Sequence, residues 1–124
     1  KIAVVEDNLD NRLLVSAILM GVYEVQEYED GREALEGMGA DRPDLVLLDI
    51  SLPGMDGVEV LKALRADPAL AELPVIALTA HAMIGDREGF LAQGFDGYFA
   101  KPIVDEDQLL ATIEELLEQR MGVS

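Results

Sequence analysis

With 124 residues, half of them apolar, the chain has the size of one compact domain with a single substantial core, and residues 1–124 read as one unit. Its 25 acids against 9 bases give a formal net charge of -16, which argues against the phosphate contacts of nucleic-acid binding and against anionic membrane surfaces. The absence of Cys excludes disulfides, thiolate zinc sites and thiol catalysis. No apolar run approaches the roughly 20 residues of a membrane helix and no signal segment opens the chain, so a cytosolic location is expected. An opening on Lys1 with a strand-like run directly behind it suggests a few missing residues or a longer parent protein.

Short apolar runs rich in β-formers alternate with stretches of helical period. Ile2–Glu6 is the first expected strand. A helix follows, capped at Asn8 or Asp10, with Leu13, Leu14, Ala17 and Ile18 on its apolar face and Gly21 as its stop. Tyr23–Tyr28 alternates like a half-buried edge strand. Asp30 caps a second helix with Glu33 as its capping-box partner, and Gly37 and Gly39 predict that this helix is weak and short. The third strand, Asp44–Asp49, is continuously apolar before its terminal acid and so is expected to be covered on both faces.

Val58–Leu64 supplies the third helix, which Asp67-Pro68 stops. Pro74–Ala80 is the fourth strand, and Met83–Gln93 a fourth helix loosened by Gly85 and Gly89. Gly97–Ala100 is the fifth strand. The last helix, Asp105 to about Arg120, carries Leu109, Leu110, Ile113, Leu116 and Leu117 in one stripe, with a mostly acidic remainder. Strict alternation of this kind predicts an α/β fold, a (βα)5 doubly wound parallel sheet with helices on both faces. Sites in such sheets lie beyond the carboxyl ends of the strands, near the point where strand order reverses.

Those ends carry Glu6-Asp7, Asp49, Thr79-Ala80 and Lys101-Pro102. Three carboxylates converging on one rim repel one another, and a divalent cation offsets that repulsion. Oxygen ligands with room for water and a phosphate oxygen suit Mg²⁺ or Mn²⁺ better than zinc. A hydroxyl and a lysine beside such a cluster can stabilise a phosphoryl group in transfer.

The blocks VVEDN (Val4 to Asn8), DLVLLDISLPGMDG (Asp44 to Gly57), ALTA (Ala77 to Ala80) and GYFAKP (Gly97 to Pro102) resemble the signatures of the response-regulator receiver domain, the CheY-like fold of two-component signalling. The resemblance covers essentially the whole chain, in order, and the fuller runs EDNLDN, ALTAHAMIGDRE and GFDGYFAKPI are most similar to single-domain receivers of the DivK type and to receiver modules attached to sensor kinases.

The resemblance implies strand order 2-1-3-4-5 and a module that catalyses its own aspartyl phosphorylation and dephosphorylation. Asp49 is then the phosphoacceptor, fed from a phosphohistidine on a sensor histidine kinase or histidine phosphotransfer protein. Glu6, Asp7, Asp49 and the Ser51 backbone carbonyl are implied to hold Mg²⁺ or Mn²⁺, with Asp7 as the more direct ligand and Glu6 acting through water. Thr79 and Lys101 bond phosphoryl oxygens, and Ala80 keeps the entrance open. Pro102 is the cis-proline candidate that aims the lysine. Tyr98 moves inward as Thr79 shifts, and signal leaves to an effector protein through the fourth helix, fifth strand and fifth helix. Ser51 and His81 tune the access of hydrolytic water. The Glu-Asp pair at 6 and 7 replaces the commoner Asp-Asp and leaves the metal site intact.

Alternatives from other classes are a phosphorylation-independent docking module with the same fold, an aspartyl-phosphate phosphohydrolase and a flavin-binding protein. The complete acid, hydroxyl and lysine set counts against the first. Asp49-Ile50-Ser51 lacks the Asp-x-Asp pattern of the second, and no Gly-rich phosphate loop follows the first strand for the third.

Overall fold

The computed structural model describes residues 1–52, 54–79, 86–101, 103 and 105–121, with the backbone alone at 86, 87, 120 and 121. Five strands and five helices alternate: β1 Ile2–Val5, α1 Leu9–Leu19, β2 Val25–Tyr28, α2 Gly31–Ala40, β3 Leu45–Asp49, α3 Gly57–Ala66, β4 Val75–Thr79, α4 Asp86–Gln93, β5 Gly97–Ala100 and α5 Glu106–Met121. All neighbouring strands pair in parallel, in the order β2-β1-β3-β4-β5. The architecture and strand order are therefore those expected, and the direction of build-out reverses between β1 and β3.

Period-2 alternation in the three inner strands divides the core into two layers. Ala3, Val5, Val46, Leu48, Val75 and Ala77 face α2 and α3, meeting Ala34, Met38, Val60, Leu61 and Leu64, with Phe90 of α4 at the margin. Ile2, Val4, Leu45, Leu47, Ile76 and Leu78 face α1 and α5, meeting Val15, Leu19, Leu109 and Ile113. Every residue of β3 is buried, because both sides of this central strand are covered. Each fully buried Leu or Val contributes about 1.5–3 kcal/mol relative to exposure. The α5 stripe packs as expected, with Leu110, Leu116 and Leu117 partly buried beside Leu109 and Ile113.

Side-chain caps set the helix starts: Asn8 accepts from the Asn11 N–H, Asp30 from Glu33, Asp56 from Glu59 and Asp105 from Gln108. Asn8, not Asp10, therefore opens α1. The glycines at 37 and 39 do not cut α2 short, since it runs to Ala40. Gly37 lies under the Tyr28 ring, where a Cβ would collide with the aromatic carbons. Helix stability here comes from that packing rather than from intrinsic propensity.

The largest departure concerns α1. Its buried residues are Arg12, Val15, Ser16 and Leu19, whereas Leu13 and Leu14 are exposed at 52% and 37% and Ala17 is exposed too. Of the expected face, only Ile18 packs, and only partly. The helix is apolar nearly all round, so periodicity alone does not choose its inner face. Contacts of Arg12 made elsewhere in the fold choose it instead.

On the edge opposite the carboxyl ends, Arg65 at the end of α3 joins the connections into β4 and β5. Its guanidinium donates to the carbonyls of Ala71, Leu73 and Gly94 and to Asp96 Oδ2, which also accepts the Val75 N–H. Gly94 takes φ +116°, a left-handed turn that favours glycine.

Candidate functional site

Register explains how the polar residues meet. Val5 pairs with Leu48, so Glu6 and Asp49 are each one step beyond that pair on adjacent strands. Asp49 itself pairs with Leu78, and Thr79 with Ala100, which places Lys101 one step past the rim. The Lys101 N–H donates to the Thr79 carbonyl at 2.7 Å, continuing the sheet by one bond. The carboxyl ends of β1, β3, β4 and β5 thus deliver their polar residues to one rim, where the doubly wound rule puts it.

Glu6, Asp49 and Thr79 are buried at 0%, 1% and 4% exposure, while Asp7 is exposed. The Lys101 ammonium lies 3.1 Å from Asp49 Oδ2 and 3.0 and 3.2 Å from the two Glu6 oxygens. Asp49 Oδ1 accepts the Ser51 N–H at 3.0 Å, and Glu6 Oε1 accepts the Asn8 N–H at 3.2 Å. Both buried carboxylates are held at each end, which fixes their rotation. Burial, and then the negative charge of Asp49, push the Glu6 carboxyl above its usual pKa of 4.5, against the lowering pull of the Lys101 hydrogen bond. Burial alone would lower the Lys101 ammonium, but Glu6 and Asp49 outweigh it and hold the pKa above 10.5.

One carboxylate oxygen from each of Glu6, Asp7 and Asp49 lies within 4.8 Å of the others. Three carboxylates and one ammonium leave a formal charge of -2, and the donors are all hard oxygens. That set fits a divalent cation of the Mg²⁺ or Mn²⁺ class.

Tyr98 is half-buried on β5 and stacks on Phe90 of α4, with centroids 5.4 Å apart and planes 25° from parallel. Phe90 in turn meets Phe95 edge-on at 5.8 Å. Ala80, His81 and Pro102, and the expected helical residues Met83 to Gly85, lie outside the described residues.

Two groups support the site in ways that the motifs alone do not reveal. Gly57, the first residue of α3, donates its N–H to the Ile50 carbonyl at 3.0 Å. A Cβ there would stand 2.5 Å from the Asp49 carbonyl oxygen and 2.7 Å from Ile50 Cα, so the side chain's absence lets α3 press against the end of β3. Arg12 is the other: it is buried at 7% exposure, and its guanidinium donates to the Glu6 carbonyl at 2.9 Å. As the sole basic residue between Lys1 and Arg32 in an acid-rich stretch, it offered the only sequence signal for such a role.

Comparison with known proteins agrees with this geometry. The family model for the response regulator receiver domain matches residues 2–114. The chain belongs to the response regulator receiver family. This receiver is 44% identical over 103 residues to the polar-differentiation response regulator DivK of Brucella anthropi, covering 82% of this chain and 84% of that one. It is 41% identical over 118 residues to the sensor protein GacS of Pseudomonas syringae, covering 91% of this chain but only 13% of GacS. The receiver fold also matches the solved chemotaxis response regulator CheY4 of Vibrio cholerae at a TM-score of 0.83 and 31% identity, over 93% of this chain and 96% of that one. Receivers of this sequence class thus occur both as most of a short protein and as a small part of a long one. Among the described residues of this receiver, no helix is long and apolar enough to cross a membrane.

Proposed function

We propose that this receiver accepts a phosphoryl group on Asp49 from a phosphohistidine on a sensor histidine kinase or histidine phosphotransfer protein, and thereby switches its binding to an effector protein. The observation that carries this reading is the Lys101 ammonium bridging the buried Asp49 and Glu6 carboxylates at 3.0 to 3.2 Å, beside Asp7 and Thr79. A buried acid so oriented is a nucleophile awaiting an electrophile. Its Oδ atom forms the new P–O bond as the P–N bond of the donor breaks, and the imidazole nitrogen keeps the electron pair. Water later cleaves the acyl phosphate, returning the carboxylate and releasing inorganic phosphate.

Glu6, Asp7, Asp49 and the Ser51 carbonyl would hold Mg²⁺ or Mn²⁺, which would supply charge neutralisation to the transferring phosphoryl group. The Ser51 N–H keeps the Asp49 carboxylate in one rotation during attack. Lys101, whose raised pKa keeps it charged, moves from carboxylate to phosphoryl oxygen. The Thr79 hydroxyl takes another oxygen, and Ala80 leaves room for it. Pro102 is the candidate for aiming Lys101, while Ser51 and His81 govern the access of hydrolytic water.

Thr79 closing on the phosphoryl group draws Tyr98, which here stacks on Phe90, inward, shifting the population of the face made by α4, β5 and α5 toward its effector-binding packing. Residues 1–124 act as one receiver unit in the cytoplasm, through protein contacts rather than nucleic acid or membrane.

The test is exposure of the protein to acetyl phosphate with and without Mg²⁺, followed by intact-mass measurement. A gain of one phosphoryl group, dependent on Mg²⁺ and lost in Asp49→Asn, is the expected result. A gain that persists in Asp49→Asn removes Asp49 from the role. No gain in the unaltered protein favours a docking module that works without phosphorylation.

A further inference from the structure

We infer that Arg12 is a positioning residue for the divalent-cation pocket, acting through the main chain of Glu6; the inference rests on the cation reading above. The Glu6 backbone is gripped on both sides, with its N–H donating to the Tyr28 carbonyl at 3.0 Å and its carbonyl accepting from Arg12 Nη1 at 2.9 Å. A peptide unit is planar, so the Glu6 carbonyl and the N and Cα of Asp7 share one plane. Fixing that carbonyl fixes where the Asp7 side chain begins. Asp7 is the exposed acid of the pocket, whereas the Glu6 carboxylate is pinned by Lys101 and the Asn8 N–H. The orientation of Asp7 therefore depends on the peptide plane more than that of the other acids.

Arg12 is itself anchored from outside. Its Nε donates to Glu27 Oε1 at 3.2 Å, and its Nη2 lies 3.5 Å from Glu29 Oε1, on and just beyond the edge strand β2. The planar fork lets one side chain grip the two acids and the carbonyl together, which a point ammonium cannot do. The arrangement also explains why α1 turns Arg12 inward and leaves Leu13 outside. Such outer contacts orient the ligands of a metal and are worth about 10–100-fold in its affinity.

Charge and position make opposite forecasts for this residue. A guanidinium near the pocket repels a cation, so its removal by itself would tighten cation binding. Loss of the carbonyl bond loosens Asp7 and weakens it. The experiment is calorimetric titration of Mg²⁺ into the protein, Asp7→Asn, Arg12→Met, Arg12→Lys and the Glu27→Ala/Glu29→Ala double variant, with a urea transition for each.

Arg12→Met is expected to bind Mg²⁺ about 10–100-fold more weakly. Arg12→Lys is expected to regain part of that loss through one ammonium bond to the carbonyl. The double variant keeps the carbonyl bond, and is expected to lose stability while retaining wild-type Mg²⁺ affinity. Unchanged or tighter binding by Arg12→Met overturns the inference, as does an equal affinity loss in the double variant. Should Arg12→Met fail to fold, Arg12→Lys decides alone, and wild-type or tighter affinity there overturns it. If the unaltered protein shows no Mg²⁺ heat that Asp7→Asn abolishes, the cation reading itself fails, and the unaltered protein reveals this before any Arg12 comparison.

Discussion

Replacing Gly57 with alanine tests how closely α3 is seated against the end of β3. The new Cβ would stand 2.5 Å from the Asp49 carbonyl oxygen and 2.7 Å from Ile50 Cα, both backbone atoms that no rotamer change can move. An ordinary carbon-to-carbonyl contact is about 3.3 Å or more, so helix and strand end must separate by roughly 0.8 Å. Overpacking of this kind costs about 1–3 kcal/mol, while alanine in a helix recovers about 0.5–1 kcal/mol. The expected net loss is about 1–2 kcal/mol. Gly39→Ala is the matched control, because nothing lies within 4 Å of its Cβ position and its φ is not positive. That change should stabilise by about 0.4–1 kcal/mol.

With a urea slope of about 1–3 kcal/mol per molar, the two variants should have transition midpoints separated by roughly 1 M. Displacement of Asp49 by most of an ångström should also slow phosphoryl acceptance from acetyl phosphate, by up to about 100-fold. A Gly57→Ala protein as stable as Gly39→Ala would refute the close approach. One that is destabilised yet phosphorylated at the normal rate would separate α3 seating from the placement of Asp49.

Lys101→Met leaves two buried carboxylates facing each other, and is expected to destabilise the metal-free protein by about 3 kcal/mol; added Mg²⁺ should restore more stability to the variant than to the unaltered chain, and equal urea midpoints without metal would contradict the bridging role. Tyr28, pushed above its usual pKa of 10.0 first by burial and then by Asp41 and Glu33, should titrate with its phenolate midpoint above pH 10 in the folded protein. A raised pKa means that the neutral phenol supports the fold below pH 10 and that this support is lost as pH rises through the folded value. Tyrosine absorbance measured with Tyr28→Phe as the reference checks it, and titration at or below 10 would count against the packed ring.

The strands and the site were legible in sequence because both follow from short-range pattern. Continuous apolar runs marked β3 and β4, and Asp49, Thr79 and Lys101 each sit at or one step beyond a strand's last residue, where parallel register alone brings them together. The face of α1 was not legible. Leu9, Leu13, Leu14, Val15, Ala17, Ile18 and Leu19 distribute apolar groups around the helix, and the deciding interactions join Arg12 to residues up to 17 positions away. Gly57 resisted the same reading for a different reason: a glycine after Asp56 looks like ordinary turn punctuation until the carbonyl beneath it is seen.

The Arg65 staple on the far edge has a practical corollary. Strands of four or five residues at about 3.3 Å per residue hold that edge some 13–17 Å from the acids. The connections into β4 and β5 are bound there by one guanidinium, so a foreign segment spliced into either would tear several bonds at once. The turn after α1 is different: Gly21 and Val22 are exposed, and nothing lies within 4 Å of a Cβ at Gly21. A fluorescent reporter grafted at that turn would ride on the molecule at the end remote from the acidic rim, leaving the rim unobstructed.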